Sequence, residues 1–129
     1  MKKTLLFFLI PFLFAFQCDD DLENSGFETS YIIQNNSTVE LFLLNEANSF
    51  VEIESQSNSS VGSTLNSETS PVVPSESFVF NTIKLYKADN GDFLQVYVQD
   101  PLDDSLWIFS EPVMNRFEYT LVITDDLLN

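Results

Sequence analysis

The sequence has no histidine, one cysteine, three glycines and five basic residues in 129 positions. Without histidine it lacks the usual general base near neutral pH, the commonest zinc ligand, and every Ser-His-Asp or Cys-His arrangement. With so few glycines, neither a G-x-G-x-x-G loop nor a P-loop can be written. The missing residues exclude triad hydrolases and the common nucleotide-binding loops.

Positive charge is almost absent from most of the chain. Lys84, Lys87 and Arg116 are the only basic residues after Lys3, whereas all 20 acidic residues follow Cys18, which leaves a side-chain charge of −17 on residues 18–129. Nucleic-acid binding needs Lys and Arg against the phosphate backbone, so we expect no nucleic-acid partner. The acidic surplus favours solubility and is compatible with divalent cations.

Carboxylates are the main remaining candidates for catalysis. A glycosidase holds two carboxylates about 5–10 Å apart in a cleft. Among 20 acidic residues, some pair meets that spacing by chance. A β-domain of about 100 residues also leaves little room for a deep pocket. We therefore expect that the protein is not an enzyme.

The first 17 residues have the pattern of a secretory signal. Lys2 and Lys3 precede an apolar run from Leu5 to Phe16 that is interrupted only by Pro11. This run is shorter than the roughly 20 residues that a helix needs to cross a bilayer. A charged start followed by a short apolar run predicts a signal peptide over residues 1–17.

Cys18 follows this run, and as the only cysteine it cannot form an intramolecular disulfide. The stretch "LFAFQC" resembles a bacterial lipobox, with Ala15 as the small residue three positions before the cysteine and Gln17 as a departure from the pattern. The resemblance implies cleavage after Gln17 and attachment of fatty acyl chains, such as palmitate, to Cys18. Each buried CH₂ contributes about 0.8 kcal/mol, so two or three chains would hold the protein on a membrane.

An acidic segment comes directly after Cys18. The stretch "CDDDLE" resembles the export signal of Bacteroidota surface lipoproteins, carried here by Asp19, Asp20, Asp21 and Glu23. That resemblance implies a location on the outer face of the outer membrane. Residues 18–28 are alternatively a solvated tether whose charge keeps the domain away from anionic head groups.

The rest of the chain is typical of an all-β domain, expected over residues 29–129. Short runs rich in Val, Ile, Phe, Tyr and Thr alternate with turn residues, and a Ser-rich connection with "SPVVP" occupies residues 55–77, within which "SSVGSTL" is a possible short edge strand. The pattern resembles an antiparallel immunoglobulin-like β-sandwich of about seven strands. A transthyretin-like or jelly-roll sandwich is the alternative.

Asn90-Gly91 predicts a hairpin with its tip at residues 89–92. In this register Leu85 faces Val96 and Ile83 faces Val98, and the link "DPLDD" would add a third neighbouring strand. The resulting core face consists of Ile83, Leu85, Leu94, Val96, Val98, Leu106 and Ile108. The opposite face would then carry Tyr86, Tyr97, Trp107 and Phe109.

These four aromatic residues form the candidate ligand surface. Flat rings stack on the C–H groups of a sugar, so the surface is suited to a glycan or to another surface protein. The alternative is that the same rings pack inside the domain, as most aromatic residues do in small proteins.

Two acidic turns are candidate calcium sites. Asp89 and Asp92 flank the hairpin tip, and Asp100, Asp103 and Asp104 lie in "DPLDD", although neither turn matches an EF-hand. Solvated turns are the alternative. The motif "DSL" resembles a Bacteroidota O-glycosylation acceptor, which implies a sugar on Ser105.

Together these features predict a non-catalytic, lipid-anchored surface protein that binds a glycan or another protein. The alternative is a structural accessory subunit of an outer-membrane complex, docked by the same face or by an added edge strand.

Overall fold

The computed structural model describes residues 27–66 and 70–129, and in these ranges it contains eight β-strands and no α-helix. The strands are β1 (Phe27–Asn35), β2 (Leu41–Leu44), β3 (Phe50–Ile53), β4 (Ser57–Asn66), β5 (Ile83–Asp89), β6 (Asp92–Gln99), β7 (Trp107–Val113) and β8 (Arg116–Ile123). Single 3₁₀ turns span Pro74–Glu76, Asp104–Leu106 and Asp125–Leu127. β1 begins two residues before the expected start of the domain.

The strands form two four-stranded sheets packed as a sandwich. The first sheet has the order β4-β1-β8-β7 and the second has the order β3-β2-β5-β6. All pairs are antiparallel except β1 with β8, which run parallel in the middle of the first sheet. The predicted β-sandwich is confirmed, with eight strands rather than about seven.

Alternation of apolar and polar residues builds the core, since successive side chains in a strand point to opposite faces. β8 buries Phe117, Tyr119, Leu121 and Ile123, as the sequence pattern predicts. β1 buries Tyr31 and its neighbours on the same face. The buried apolar residues of the other elements are Leu41, Leu43, Ile53, Phe80, Ile83, Leu85, Val96, Tyr97 and Trp107.

Strand β4 is longer than the short edge strand expected in the Ser-rich segment. Its ladder with β1 shifts register between Tyr31 and Ile32, where Gly62 faces Tyr31 and Ser60 faces Ile32. At Gly62 the chain meets Val79, and a Cβ atom on the glycine would lie 2.2 Å from Val79 Cγ1. Glycine is therefore required at this position so that residues 70–82 can pass close to β4.

The β5–β6 hairpin has the predicted tip, with Asp89 facing Asp92. The predicted register holds as far as Tyr86 facing Gln95, after which a bulge makes Leu85 face Tyr97 rather than Val96. The carbonyl oxygen of Val96 accepts a hydrogen bond from the backbone N–H of Asn129 at 2.9 Å. The bulge turns both Val96 and Tyr97 into the core, and it leaves Val98 exposed.

The predicted three-stranded meander is wrong. Residues 100–106 cross from the second sheet to the first, where β7 pairs with β8 and Trp107 faces Leu121. Four residues expected in the common core face are exposed instead: Leu94, Val98, Leu106 and Ile108. The link "DPLDD" is a connection between sheets rather than a tight turn within one sheet.

The two ends of the sandwich can be followed through β1. At its far end, the buried Asn35 donates from Nδ2 to the carbonyl oxygens of Ile53 at 3.0 Å and Glu54 at 3.2 Å. β2 begins beside Ile53, and β5 runs antiparallel to β2. The 89–92 tip therefore lies at the Asn35 end of the molecule, opposite the end at which β1 begins.

Candidate functional site

The expected surface of Tyr86, Tyr97, Trp107 and Phe109 does not exist as an exposed face. Tyr97 and Trp107 are only 8% and 5% exposed, because the bulge in β6 and the crossing to β7 place both rings between the sheets. Tyr86 lies on the second sheet and Phe109 on the first. The prediction that Tyr97 and Trp107 present a ligand surface is wrong.

Buried hydrogen bonds explain why these two rings are core residues. The side chain of Gln99 donates from Nε2 to the Tyr97 hydroxyl at 2.7 Å, and its Oε1 accepts from the Trp107 indole N–H at 3.3 Å. Oε1 also accepts from the backbone N–H of Asp103 at 3.3 Å. Tyrosine and tryptophan bury easily where their polar atoms find such partners. Trp107 also stacks on Phe80 with a centroid distance of 5.7 Å.

Phe109 lies two residues after Trp107 on β7 and is half exposed. Its ring lies 6.0 Å from that of Phe117 and 5.4 Å from that of Tyr119, measured between centroids. Burial raises the pKa of the Tyr119 hydroxyl above its ordinary value, and the charge of Asp104 adds to the effect. Phe109 therefore extends the inner face of the first sheet instead of forming a separate site.

A different group of aromatic rings lies on the outer face of the second sheet. This aromatic cluster consists of Phe42 on β2, Phe50 on β3, Tyr86 on β5 and Phe93 on β6. Phe42 faces Tyr86 across the β2–β5 ladder, and Leu41 and Leu43 on either side of Phe42 point into the core. One ring from each strand thus reaches the solvent side of the same sheet.

The rings of the aromatic cluster contact one another closely. Phe50 and Phe93 stack with a centroid distance of 4.3 Å, and Phe93 meets Phe42 edge to face at 4.9 Å. Phe50 meets Tyr86 edge to face at 5.3 Å. Phe50 and Phe93 remain 40% and 47% exposed, so the cluster is organised by its own contacts but is not covered.

Carboxylates border the aromatic cluster at one corner. Glu52 faces Phe42 across the β2–β3 ladder, and Glu40 and Glu54 lie on either side of this pair in sequence. A hydrogen bond with Glu52, together with repulsion from Glu52 and Glu54, raises the pKa of the Glu40 carboxyl above its ordinary value. The corner therefore holds negative charges that repel one another in solvent.

Polar groups lie beside the aromatic cluster rather than within it. The Tyr86 hydroxyl donates to Gln95 Oε1 at 3.3 Å. A shallow groove beyond the cluster is lined by Leu44, Asn45, Glu46, Asn48, Thr82 and Lys84. The cluster itself offers apolar ring surface and a single hydroxyl, which suits docking of an apolar surface rather than proton transfer or metal binding.

The acidic turns do not assemble a cation site. Within residues 27–66 and 70–129 no group of three or more His, Cys, Asp or Glu side chains could hold a metal ion. No three of the predicted ligands Asp89, Asp92, Asp100, Asp103 and Asp104 therefore form such a group. The Asp104 carboxylate instead accepts from the backbone N–H of Ser75 at 2.8 Å and from its hydroxyl at 2.5 Å. This contact ties residues 70–82 to the crossing between the sheets.

Ser105 is exposed at the same turn. Its backbone N–H and its hydroxyl both donate to Asp103 Oδ1, at 3.0 Å and 2.6 Å. Asp104, the aspartate of the "DSL" motif, accepts instead from the Ser75 hydroxyl. The expected O-glycosylation of Ser105 stays a prediction.

The lipidation and export residues Cys18, Asp19, Asp20, Asp21 and Glu23 lie outside the described residues. Within the described ranges, no helix has the length and hydropathy needed to cross a bilayer. No protein-family model, curated protein or solved structure matches the chain. The functional assignment therefore depends on the chemistry of the surfaces themselves.

Proposed function

We propose that the chain is a non-catalytic lipoprotein, anchored through Cys18 on the outer membrane and exposed at the cell surface, that binds a protein partner through its aromatic cluster. The observation that supports this function is the set of four preorganised rings on the outer face of the second sheet, two of which are substantially exposed. Exposed aromatic groups of this kind are typical centres of protein–protein interfaces.

A protein partner fits the cluster better than a glycan does. Glycan sites combine a ring face with several hydrogen-bonding groups, because each sugar hydroxyl needs a partner when water is removed. Here three of the four rings are phenylalanines, and the only hydroxyl is bonded to Gln95. Most of the cluster can therefore gain only from contact with apolar surface.

The charge around the cluster defines the chemistry of the partner. Glu40, Glu52 and Glu54 repel one another beside the rings, as the raised pKa of Glu40 reflects. A basic group on the partner would relieve this repulsion, and the −17 charge of residues 18–129 would attract it from a distance. We infer a partner with an apolar centre bordered by Lys or Arg.

Paired substitutions test this surface. Replacing Phe50 and Phe93 by serine removes the two outermost rings and should abolish recovery of a chemically crosslinked partner from intact outer membranes. Phe78→Ser is the matched control, since Phe78 is almost fully exposed and takes no part in the cluster. Equal crosslinking in both variants contradicts the proposal.

Two further measurements separate the parts of this function. Mass spectrometry of the mature chain should show acyl chains on Cys18 as its first residue, and an unmodified N-terminus would disprove the anchor while leaving the docking surface open to test. Binding on a glycan array that survives Phe50→Ser and Phe93→Ser would favour a sugar-binding protein with another site.

A further inference from the structure

The end of the sandwich at which β1 begins carries a row of solvent-accessible side chains, two of them half-buried, that the binding function does not use. We call this row the N-terminal edge, and it consists of Leu65, Glu28, Arg116, Val113 and Met114. Leu65 faces Glu28, Glu28 faces Arg116, and Arg116 faces Val113 across the four strands of the first sheet. Met114 follows Val113 in the β7–β8 turn.

The apolar members of the N-terminal edge are unusually exposed. Leu65 and Met114 are 79% and 81% exposed, and Val113 is also more than half exposed. The residues directly opposite one another in a ladder share one face of a sheet, so Leu65 and Val113 border the two charged residues from opposite sides. Exposed apolar groups gathered at one end of a domain are typical of contact with another protein or with a membrane.

The charges in this row favour a lipid surface as that cover. The Glu28 carboxylate pairs with the Arg116 guanidinium at 3.6 Å, so the centre of the row carries no net charge. Arg116 is one of only three basic residues after Lys3 in a strongly acidic chain. Arginine places its apolar stem along an interface while its guanidinium reaches phosphate oxygens. Glu111 is held in the same turn, where its carboxylate accepts from the Asn115 backbone N–H at 3.0 Å. Its negative charge favours zwitterionic over anionic lipids.

The position of the anchor brings the N-terminal edge to the membrane. Eight residues lie between Cys18 and Phe27, the first residue of β1. Even a fully extended chain of that length spans only about 30 Å. Phe27 faces Asn66 on β4, next to Leu65, so the anchor reaches the molecule at this row and not at the 89–92 tip.

We propose that the N-terminal edge rests in the head-group region of the membrane that holds the acyl chains, with Leu65, Val113 and Met114 inserted between lipids. This inference depends on the proposed anchoring through Cys18. The acyl chains on Cys18 hold the protein at the membrane, and a second contact of modest strength then fixes its orientation. The opposite end, with the 89–92 tip, then points away from the bilayer.

The mature chain offers a direct test because acylation occupies the thiol of its only cysteine. Met114→Cys therefore introduces the one free thiol, which can carry an environment-sensitive fluorophore. The labelled lipoprotein is reconstituted in phosphatidylcholine vesicles that contain a lipid-attached nitroxide quencher. Ala88→Cys, exposed next to the hairpin tip, is the matched control at the other end.

We expect several-fold stronger quenching of the label at position 114 than at position 88, with a blue shift at position 114 alone. Adding Leu65→Ser and Val113→Ser should reduce the quenching at 114 to the level at 88 while the protein still floats with vesicles. Equal quenching at both positions in vesicle-bound protein overturns the orientation alone. Loss of flotation of the otherwise unsubstituted chain overturns the anchor and the orientation together. Shielding of position 114 from water without quenching by lipid would show a second copy on this edge and would also overturn the inference.

Discussion

Gly62 on β4 is the residue at which the 70–82 segment passes close to the first sheet. An added Cβ would lie 2.2 Å from Val79 Cγ1, so a side chain fits only if Val79 moves. The φ of 155° is, in addition, a conformation that residues with a Cβ rarely adopt. We expect Gly62→Ala to destabilise the protein by about 1–3 kcal/mol, because overpacking forces either β4 or the 70–82 segment to move. Urea unfolding followed by circular dichroism measures the change.

The partner of the clash supplies the control. Gly62→Ala combined with Val79→Ala removes the Cγ1 atom, and the next nearest contact is then the Val79 Cβ at 3.4 Å. The double variant should therefore be less destabilised than the two single changes added together. Strict additivity would show that the steric contact is not the cause.

Gln99 is the residue that keeps Tyr97 and Trp107 in the core. Gln99→Leu removes the acceptor of the Trp107 indole N–H and the donor to the Tyr97 hydroxyl. Leaving buried polar groups without partners costs about 1–3 kcal/mol each, so we expect a large loss of stability in urea. Trp107 is the only tryptophan, so its emission maximum reports directly on the same site.

Gln95→Leu is the matched control for this change. Gln95 lies on the same strand, but it is exposed and its contact with the Tyr86 hydroxyl is at the outer face. We expect less than about 0.5 kcal/mol of change in the free energy of unfolding. A similar loss for both variants would show that the buried position of Gln99 has no special role.

Individual residues also show where sequence reasoning succeeds and where it fails. The inward residues of β8 alternate cleanly with polar ones, and their burial follows from that period alone. Val96 and Tyr97 are adjacent and both buried, which no period of two can predict, because the bulge depends on tertiary packing. The predicted position of Trp107 is also wrong, because the path of residues 100–106 decides to which sheet Trp107 belongs.

At the scale of elements, the β2–β3 pair contains a signal for the aromatic cluster that the sequence does show. The run "LFLL" is apolar on both faces of a strand, so Phe42 must point away from the core when Leu41 and Leu43 point inward. Phe50 alternates with Glu52 in the neighbouring strand. What the sequence alone could not supply is the pairing of β2 with β5, which brings Tyr86 and Phe93 to these rings.

The same pair of strands predicts a response to pH. The pKa of Glu40 is raised in the folded protein, so its contribution to stability is fully present below the ordinary value of 4.5 and is lost as the pH rises through the raised value. Glu40→Gln removes that contribution and the repulsion from Glu52. We expect the variant to gain stability relative to the wild type as the pH increases from 4.5 towards neutrality.

Urea midpoints of the two proteins measured side by side between about pH 4 and pH 7 test this expectation, since the carboxylates remote from Glu40 contribute equally to both. The informative quantity is the difference between the two curves. A difference that does not vary with pH would mean that Glu40 and Glu52 do not interact in solution.

For the whole molecule, excess negative charge is the dominant electrostatic feature. The chain after Cys18 has 20 acidic residues and only three basic ones, Lys84, Lys87 and Arg116. Because its charges lie closer together, the folded domain has more internal repulsion than the expanded unfolded chain. Salt shortens the Debye length from about 30 Å at 0.01 M to about 8 Å at 0.15 M. We therefore expect the melting temperature to increase over this range of sodium chloride.

Thermal unfolding of the mature chain in a salt series checks this expectation. Sucrose at matched osmolarity serves as the control, because it carries no charge and does not screen. A melting temperature that decreases with sodium chloride would show that attractive ion pairs, such as Glu28 with Arg116, outweigh the repulsion.

The parallel pairing of β1 with β8 has a consequence for the order in which the chain can fold. β1 lies between β4 and β8, so the strand that is synthesised first is completed only when the last strand has been added. Contacts between segments so far apart in sequence form slowly, because the entropy cost of closing a long loop comes before the contacts stabilise the chain. A chain secreted through a narrow channel in an unfolded form, as the proposed signal peptide requires, can pair β1 with β4 first, while the other edge of β1 stays open until β8 arrives. The first sheet is therefore completed late, after β8 has left the channel, so the domain cannot finish folding during the early part of secretion.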